Sequence, residues 1–90
     1  MIDIGSNDGS LLKPFKERGL RVLGVDPAKA AAERAIAAGV PTEVALMSAP
    51  LARRVRETHG PAQIVSAFNV FAHADDLGAM ADCVRTLLAP

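Results

Sequence analysis

Short apolar runs alternate along this chain with longer stretches in which apolar residues return at helical spacing. Met1–Ile4, Leu20–Val25 and Ile64–Phe68 read as strands, and Val44–Leu46, with Glu43 beside it, as a weaker one. Leu11–Arg18 predicts a helix with Leu11, Leu12 and Phe15 on one face, closed by Gly19. The run KAAAERAIAAG predicts a second helix, whose alanine face suits close packing on a sheet and which Gly39 ends. Ser48 is placed to cap a third helix over Pro50–Thr58, broken by Gly60-Pro61. A fourth starts at Asp75 or Asp76, with Leu77, Met80, Ala81, Val84, Leu87 and Leu88 on one side.

Repeated strand-helix units predict an α/β fold: a Rossmann-like parallel sheet with helices on both faces, in one domain over 1–90. In the strand order 3-2-1-4, Ile64–Phe68 would stand at an edge and lack an outer neighbour. Internal repeats, low-complexity segments and linkers are not apparent.

Composition narrows the function classes. The chain has 90 residues, enough for one small domain, and half of them are apolar. Ten basic residues balance ten acidic ones without a basic block, so neither a nucleic-acid surface nor a membrane-surface patch is expected. Cys83 stands alone and no Cys/His cluster has metal-ligand spacing; a reduced thiol, no metal and a cytoplasmic setting are the expectations. No leader pattern precedes the first strand, and no apolar run approaches the ~18 residues of a membrane span.

The chemistry concentrates in IDIGSNDGSLLKPF. Gly5 and Gly9 flank Ser6, Asn7 and Asp8 at the exit of the first strand, where open parallel sheets bind ligands. Glycines there let the backbone turn sharply and approach a ligand closely. Asp26, at the end of the second strand, stands where an acid accepts both hydrogens of a ribose diol. The turn lacks the middle and third glycines of a dinucleotide fingerprint, and Asp3 and Asp8 place negative charge where two phosphates would sit. A cofactor with a sulfonium and an ammonium, S-adenosylmethionine, suits that charge better than NAD. Asp26 also stands where it would cap the helix beginning at Pro27, and Asp8 where it would cap the first helix; the residues alone leave these readings open.

The stretches IDIGSNDGSLL, RVLGVDPA, AGVPTEV and NVFAHADDLGAMADCVRTLLAP resemble class I S-adenosylmethionine-dependent methyltransferases. Within that family the likeness is to C-methyltransferases acting on nucleotide-linked deoxysugars, which carry I-G-S-N-D-G, G-[VI]-[DE]-P and N-V-x-A-H in this order. The resemblance implies that Asp3, Gly5, Ser6, Asn7 and Gly9 surround the methionine part of the cofactor. It implies that Asp26 holds the ribose and that Pro27 lies near the adenine. Met47 and Ser48 fall at the adenine contact, where many relatives carry an acid. Asn69 to His73 would face the transferred methyl and the acceptor.

Methyl transfer to a carbon beside a ketone needs a base, and His73 is the one histidine after a strand exit. A capping or solvated histidine ahead of the last helix is the alternative. His59 reads as a partner of a helix C-terminus, and the Arg53-Arg54-x-Arg56 run as a solvated face. The resemblance implies about seven strands, of which four are here. The expectation is therefore the cofactor-binding half of a methyltransferase, inactive alone. It would pair with the remainder of its domain or self-associate through the exposed strand edge. A non-catalytic cofactor-binding module and an NAD-dependent oxidoreductase half are the competing readings.

Overall fold

The computed structural model describes residues 1–67 and 77–88. Four parallel strands, β1 (Ile2–Ile4), β2 (Leu23–Val25), β3 (Thr42–Glu43) and β4 (Val65–Ser66), lie in the order β3-β2-β1-β4. The intervening helices are α1 (Leu12–Glu17), α2 (Lys29–Ala37) and α3 (Ala49–His59), and α4 (Leu77–Leu87) follows β4. This is the expected partial Rossmann-like α/β fold.

Alternation along the central strands divides the core in two. Ile2, Ile4, Leu23 and Val25 face one side and pack with Leu51, Ala52 and Val55 of α3 and Cys83 and Leu87 of α4. A second cluster joins Leu12 of α1 and Ala35 of α2 with Val22 and Val40. Each fully buried Leu or Val contributes about 1.5–3 kcal/mol over its exposed state. The side chains between the apolar ones are small or polar: Asp3 of β1 stands in register with Gly24 of β2 and Ser66 of β4, and Gly24 with Thr42 of β3. That polar row runs up to the glycine turn.

Several element limits depart from the sequence reading. β2 begins at Leu23, where pairing with Ile2 of β1 starts, and Leu20 ahead of it is exposed. β3 is Thr42–Glu43 rather than Val44–Leu46. Its register is set by backbone groups of β2: Gly24 N–H donates to Pro41 O at 2.9 Å and Asp26 N–H to Glu43 O at 3.0 Å. Val44 and Leu46 follow the pairing, and Leu46 is 73% exposed. β4 is likewise shorter than Ile64–Phe68; Ile64 is exposed, and Phe68 lies outside the described residues. Leu11 is exposed at the start of α1, whereas Leu12 is fully buried. On α4 the buried positions are Cys83 and Leu87, with Met80 and Val84 packed beside them and Ala81 exposed.

The arginine run is not a uniformly solvated face. Arg54 pairs with Glu43 at 3.3 Å. Arg56 is half-buried and donates through Nη1 to the carbonyls of Thr86 (3.0 Å) and Leu88 (2.7 Å), closing the C-terminal end of α4. His59 supplies a backbone carbonyl to Arg21 Nη2 at 3.2 Å. Among the described residues no helix is long and apolar enough to cross a membrane. Arg56→Ala is expected to lower unfolding stability by about 1–2 kcal/mol in urea titration, since it removes the donor from two helix-end carbonyls at once.

Candidate functional site

The turn after β1 is built by backbone geometry first. Gly5 (φ 77°), Asn7 (φ 54°) and Gly9 (φ 81°) all take left-handed conformations, of which only the asparagine carries a steric cost. Gly5 N–H (2.7 Å) and Ser6 N–H (3.2 Å) both donate to Val25 O, carrying the β1–β2 ladder into the turn. Gly9 N–H then donates to Ser6 O at 3.0 Å, and Lys13 N–H to Gly9 O at 2.9 Å, which feeds the chain into α1.

Two glycines are required by close approach. A Cβ on Gly9 would stand 3.2 Å from Ala35 Cβ and from Val40, so Gly9 lets α2 pack against the turn. It is buried there rather than facing a ligand space. A Cβ on Gly24 would fall 2.4 Å from Ser6 Oγ, so the bare backbone of β2 is what seats Ser6. The Ser6 hydroxyl is buried there with no hydrogen-bond partner among the described residues. Its side chain packs against the bare backbone of Gly24.

Asp26 joins the turn to the next helix. Its Oδ2 accepts Asn7 N–H and its Oδ1 accepts Ala28 N–H, both at 2.8 Å. It closes a turn just ahead of α2, which begins at Lys29 with Ala28 as its N-cap and no side-chain cap bond, so Asp26 does not cap a helix beginning at Pro27; it also binds the N–H of the left-handed Asn7. Each carboxylate oxygen keeps a further lone pair for a ligand hydroxyl. Asp8 is exposed and does not cap α1 directly. It accepts from Ser10 N–H (3.1 Å) and Ser10 Oγ (2.6 Å), and those bonds hold its carboxyl below the usual range.

Asp3 is in a different position. It is only 4% exposed and, among the described residues, its side chain takes one hydrogen bond, from Ser66 Oγ to Oδ1 at 2.8 Å. Burial pushes its carboxyl up; the Ser66 bond pulls the other way, and the Asp26 charge adds to the rise. Among the described residues the ion pairs are Lys29–Glu33, Arg54–Glu43 and Arg85–Asp82, so neither Asp3 nor Asp26 is paired with a protein cation.

Asp3, Gly5, Ser6, Asn7, Asp8, Ser10 and Leu11 line one concavity of about 230 Å³ beyond the carboxyl ends of β1 and β2. Four of the sequence-derived site residues thus meet, and Asp26 holds their turn. Pro27 is exposed directly after Asp26. Met47 packs against the α3/α4 core, and Ser48 caps α3 by accepting Leu51 N–H at 3.2 Å. Asn69 and His73 lie outside the described residues. Sequence reasoning missed Gly24 and Ser66. A glycine inside a strand is a legible sign of close approach, but the serine gave no sign. A larger concavity, about 370 Å³, lies at the opposite, amino end of the strands beside Arg21, His59 and Gln63. Among the described residues no group of His, Cys, Asp and Glu could hold a metal ion.

The family model described as a methyltransferase domain matches residues 1–90. C-methyltransferase NovU of Streptomyces niveus is 38% identical over 90 residues, covering 100% of this chain and 21% of that relative. The chain thus spans about a fifth of the relative's length.

The raised Asp3 carboxyl has a stability consequence. A carboxyl raised in the fold binds its proton more tightly folded than unfolded. Its contribution to stability is full below the ordinary carboxylate range and lost as pH rises through the raised value. Asp3→Asn, which keeps an acceptor for Ser66, is expected to be more stable than the parent in urea at pH 7. The difference should vanish near pH 3; equal stability at pH 7 would remove the claim that the ionised carboxylate costs the fold.

Proposed function

The chain belongs to the methyltransferase-domain family, and from that premise we propose that its glycine turn binds S-adenosylmethionine for methyl transfer by the whole protein. One observation carries the reading. Two buried carboxylates, Asp3 and Asp26, stand at the strand exits without a protein cation beside them among the described residues. A ligand bearing an ammonium and a sulfonium supplies the missing charge, while a diphosphate would add to the repulsion between them.

The residues present fit such a group. Asp3 would hold the cationic methionine end, with the backbone of Gly5, Ser6 and Asn7 alongside it in the concavity. Asp26 would receive the ribose hydroxyls on lone pairs left by Asn7 and Ala28. Pro27 and Met47 would flank the adenine, with Ser48 nearby. When bound, S-adenosylmethionine supplies an electrophilic methyl carbon on sulfur. What the chain supplies is placement, which accounts for much of the acceleration in an in-line displacement.

The acceptor in this proposal is a small molecule of the nucleotide-linked deoxy-ketosugar class, methylated on carbon. Its support is the N-V-F-A-H stretch and the likeness to a C-methyltransferase. His73 would take the proton from the carbon beside the ketone or orient the acceptor, and Asn69 would face the transferred methyl. In this proposal the protein is cytoplasmic, and turnover by the 90 residues calls for the remainder of the domain or a second copy along β4.

Titration calorimetry with S-adenosylhomocysteine and with NADH tests the cofactor. Saturable heat with the homocysteine compound and none with NADH is expected, with affinity falling as pH drops through the raised Asp3 value. Binding of NADH alone would point to the oxidoreductase reading instead.

A further inference from the structure

Asp3 is held by a neighbour that no sequence motif marks. Ser66 sits on β4, directly across from Asp3 in the parallel register, and 63 positions later in the chain. Its hydroxyl donates to Oδ1 at 2.8 Å, and Oδ2 has no hydrogen bond among the described residues. A buried carboxylate bonded through one oxygen is oriented, because the bond fixes which oxygen is presented to a ligand.

We propose that Ser66 is a positioning residue for the cofactor site: by binding Oδ1 it leaves Oδ2 of Asp3 as the acceptor for the cationic end of the cofactor. This rests on the reading of the concavity as the S-adenosylmethionine site. The arrangement also ties the strand that leads toward Asn69 and His73 to the carboxylate of β1. A shift of β4 along β1 would therefore disturb the cofactor carboxylate directly.

The surroundings leave this role to Ser66. Asp26, at the end of β2, is the charge acting on Asp3, and it makes ionisation harder. Asp8 is exposed and bound by Ser10, and Arg34 of α2 acts on Asp8. Ser6 is buried over Gly24 with its hydroxyl unpartnered. The Ser66 hydroxyl is the group that favours the ionised form of Asp3 by hydrogen bonding.

The test uses Ser66→Ala and Ser66→Thr with two readouts. Side-chain carboxyl signals of Asp3, followed by NMR against pH in the ligand-free chain, should titrate at higher pH in S66A and stay at the parent position in S66T. Affinity for S-adenosylhomocysteine at neutral pH should fall about tenfold in S66A, the worth of one hydrogen bond to a charged group. The acid limb of its pH profile should move upward, and S66T should restore both. A parent-like titration and affinity in S66A overturns the proposal, as does an equal loss in S66T. If the unmodified chain takes no S-adenosylhomocysteine, the cofactor reading fails. The ligand-free titration still decides whether Ser66 governs Asp3.

Discussion

The carboxylate of Asp26 is the interaction on which the rest of the site depends. One oxygen takes Asn7 N–H and the other takes Ala28 N–H, so a single side chain joins the turn after β1 to the start of α2. Asn7 is held in a left-handed conformation that costs about 1 kcal/mol, and the charge-assisted bond to Asp26 offsets it. Around that clamp the other features fall into place. Gly24 lacks the Cβ that would collide with Ser6, Gly9 lacks the one that would collide with α2, and Val25 O anchors the entry of the turn.

Asp3 shows the opposite economy. Asp26 is satisfied by backbone donors, whereas Asp3 is buried with a single hydroxyl partner among the described residues and a like charge nearby. A core built only for stability would place an apolar or neutral residue there. Retaining an ionisable group at that cost fits a site whose missing counter-charge arrives with a ligand, in keeping with the trade of stability for function at binding sites. The basic concavity at the amino end of the strands, beside Arg21 and His59, has the wrong charge for such a ligand and lies away from both acids.

The layer order, the strand sequence and the glycine turn were legible because hydrophobic period and glycine placement report backbone needs directly. The acid after β2 was legible as a residue but not as a role: in place of the expected cap it binds the N–H groups of Asn7 and Ala28 ahead of α2, and lone pairs remain for a ligand contact. β3 was misplaced because apolar weight favoured Val44 and Leu46, whereas the ladder was set by donors of Gly24 and Asp26. Arg56 was misread for a related reason, since its acceptors, Thr86 O on α4 and Leu88 O just beyond it, are 30 and 32 positions away. Ser66 had no local signal at all, because its meaning comes from strand register.

A position-resolved titration of backbone amide NMR shifts with S-adenosylhomocysteine tests the central claim most directly. If the Asp26-clamped turn is the cofactor cradle, the largest changes fall at Gly5, Ser6, Asn7 and Ala28, with Arg21 and Gly60 unmoved. Changes centred on Arg21, His59 and Gly60, with the turn silent, would contradict it.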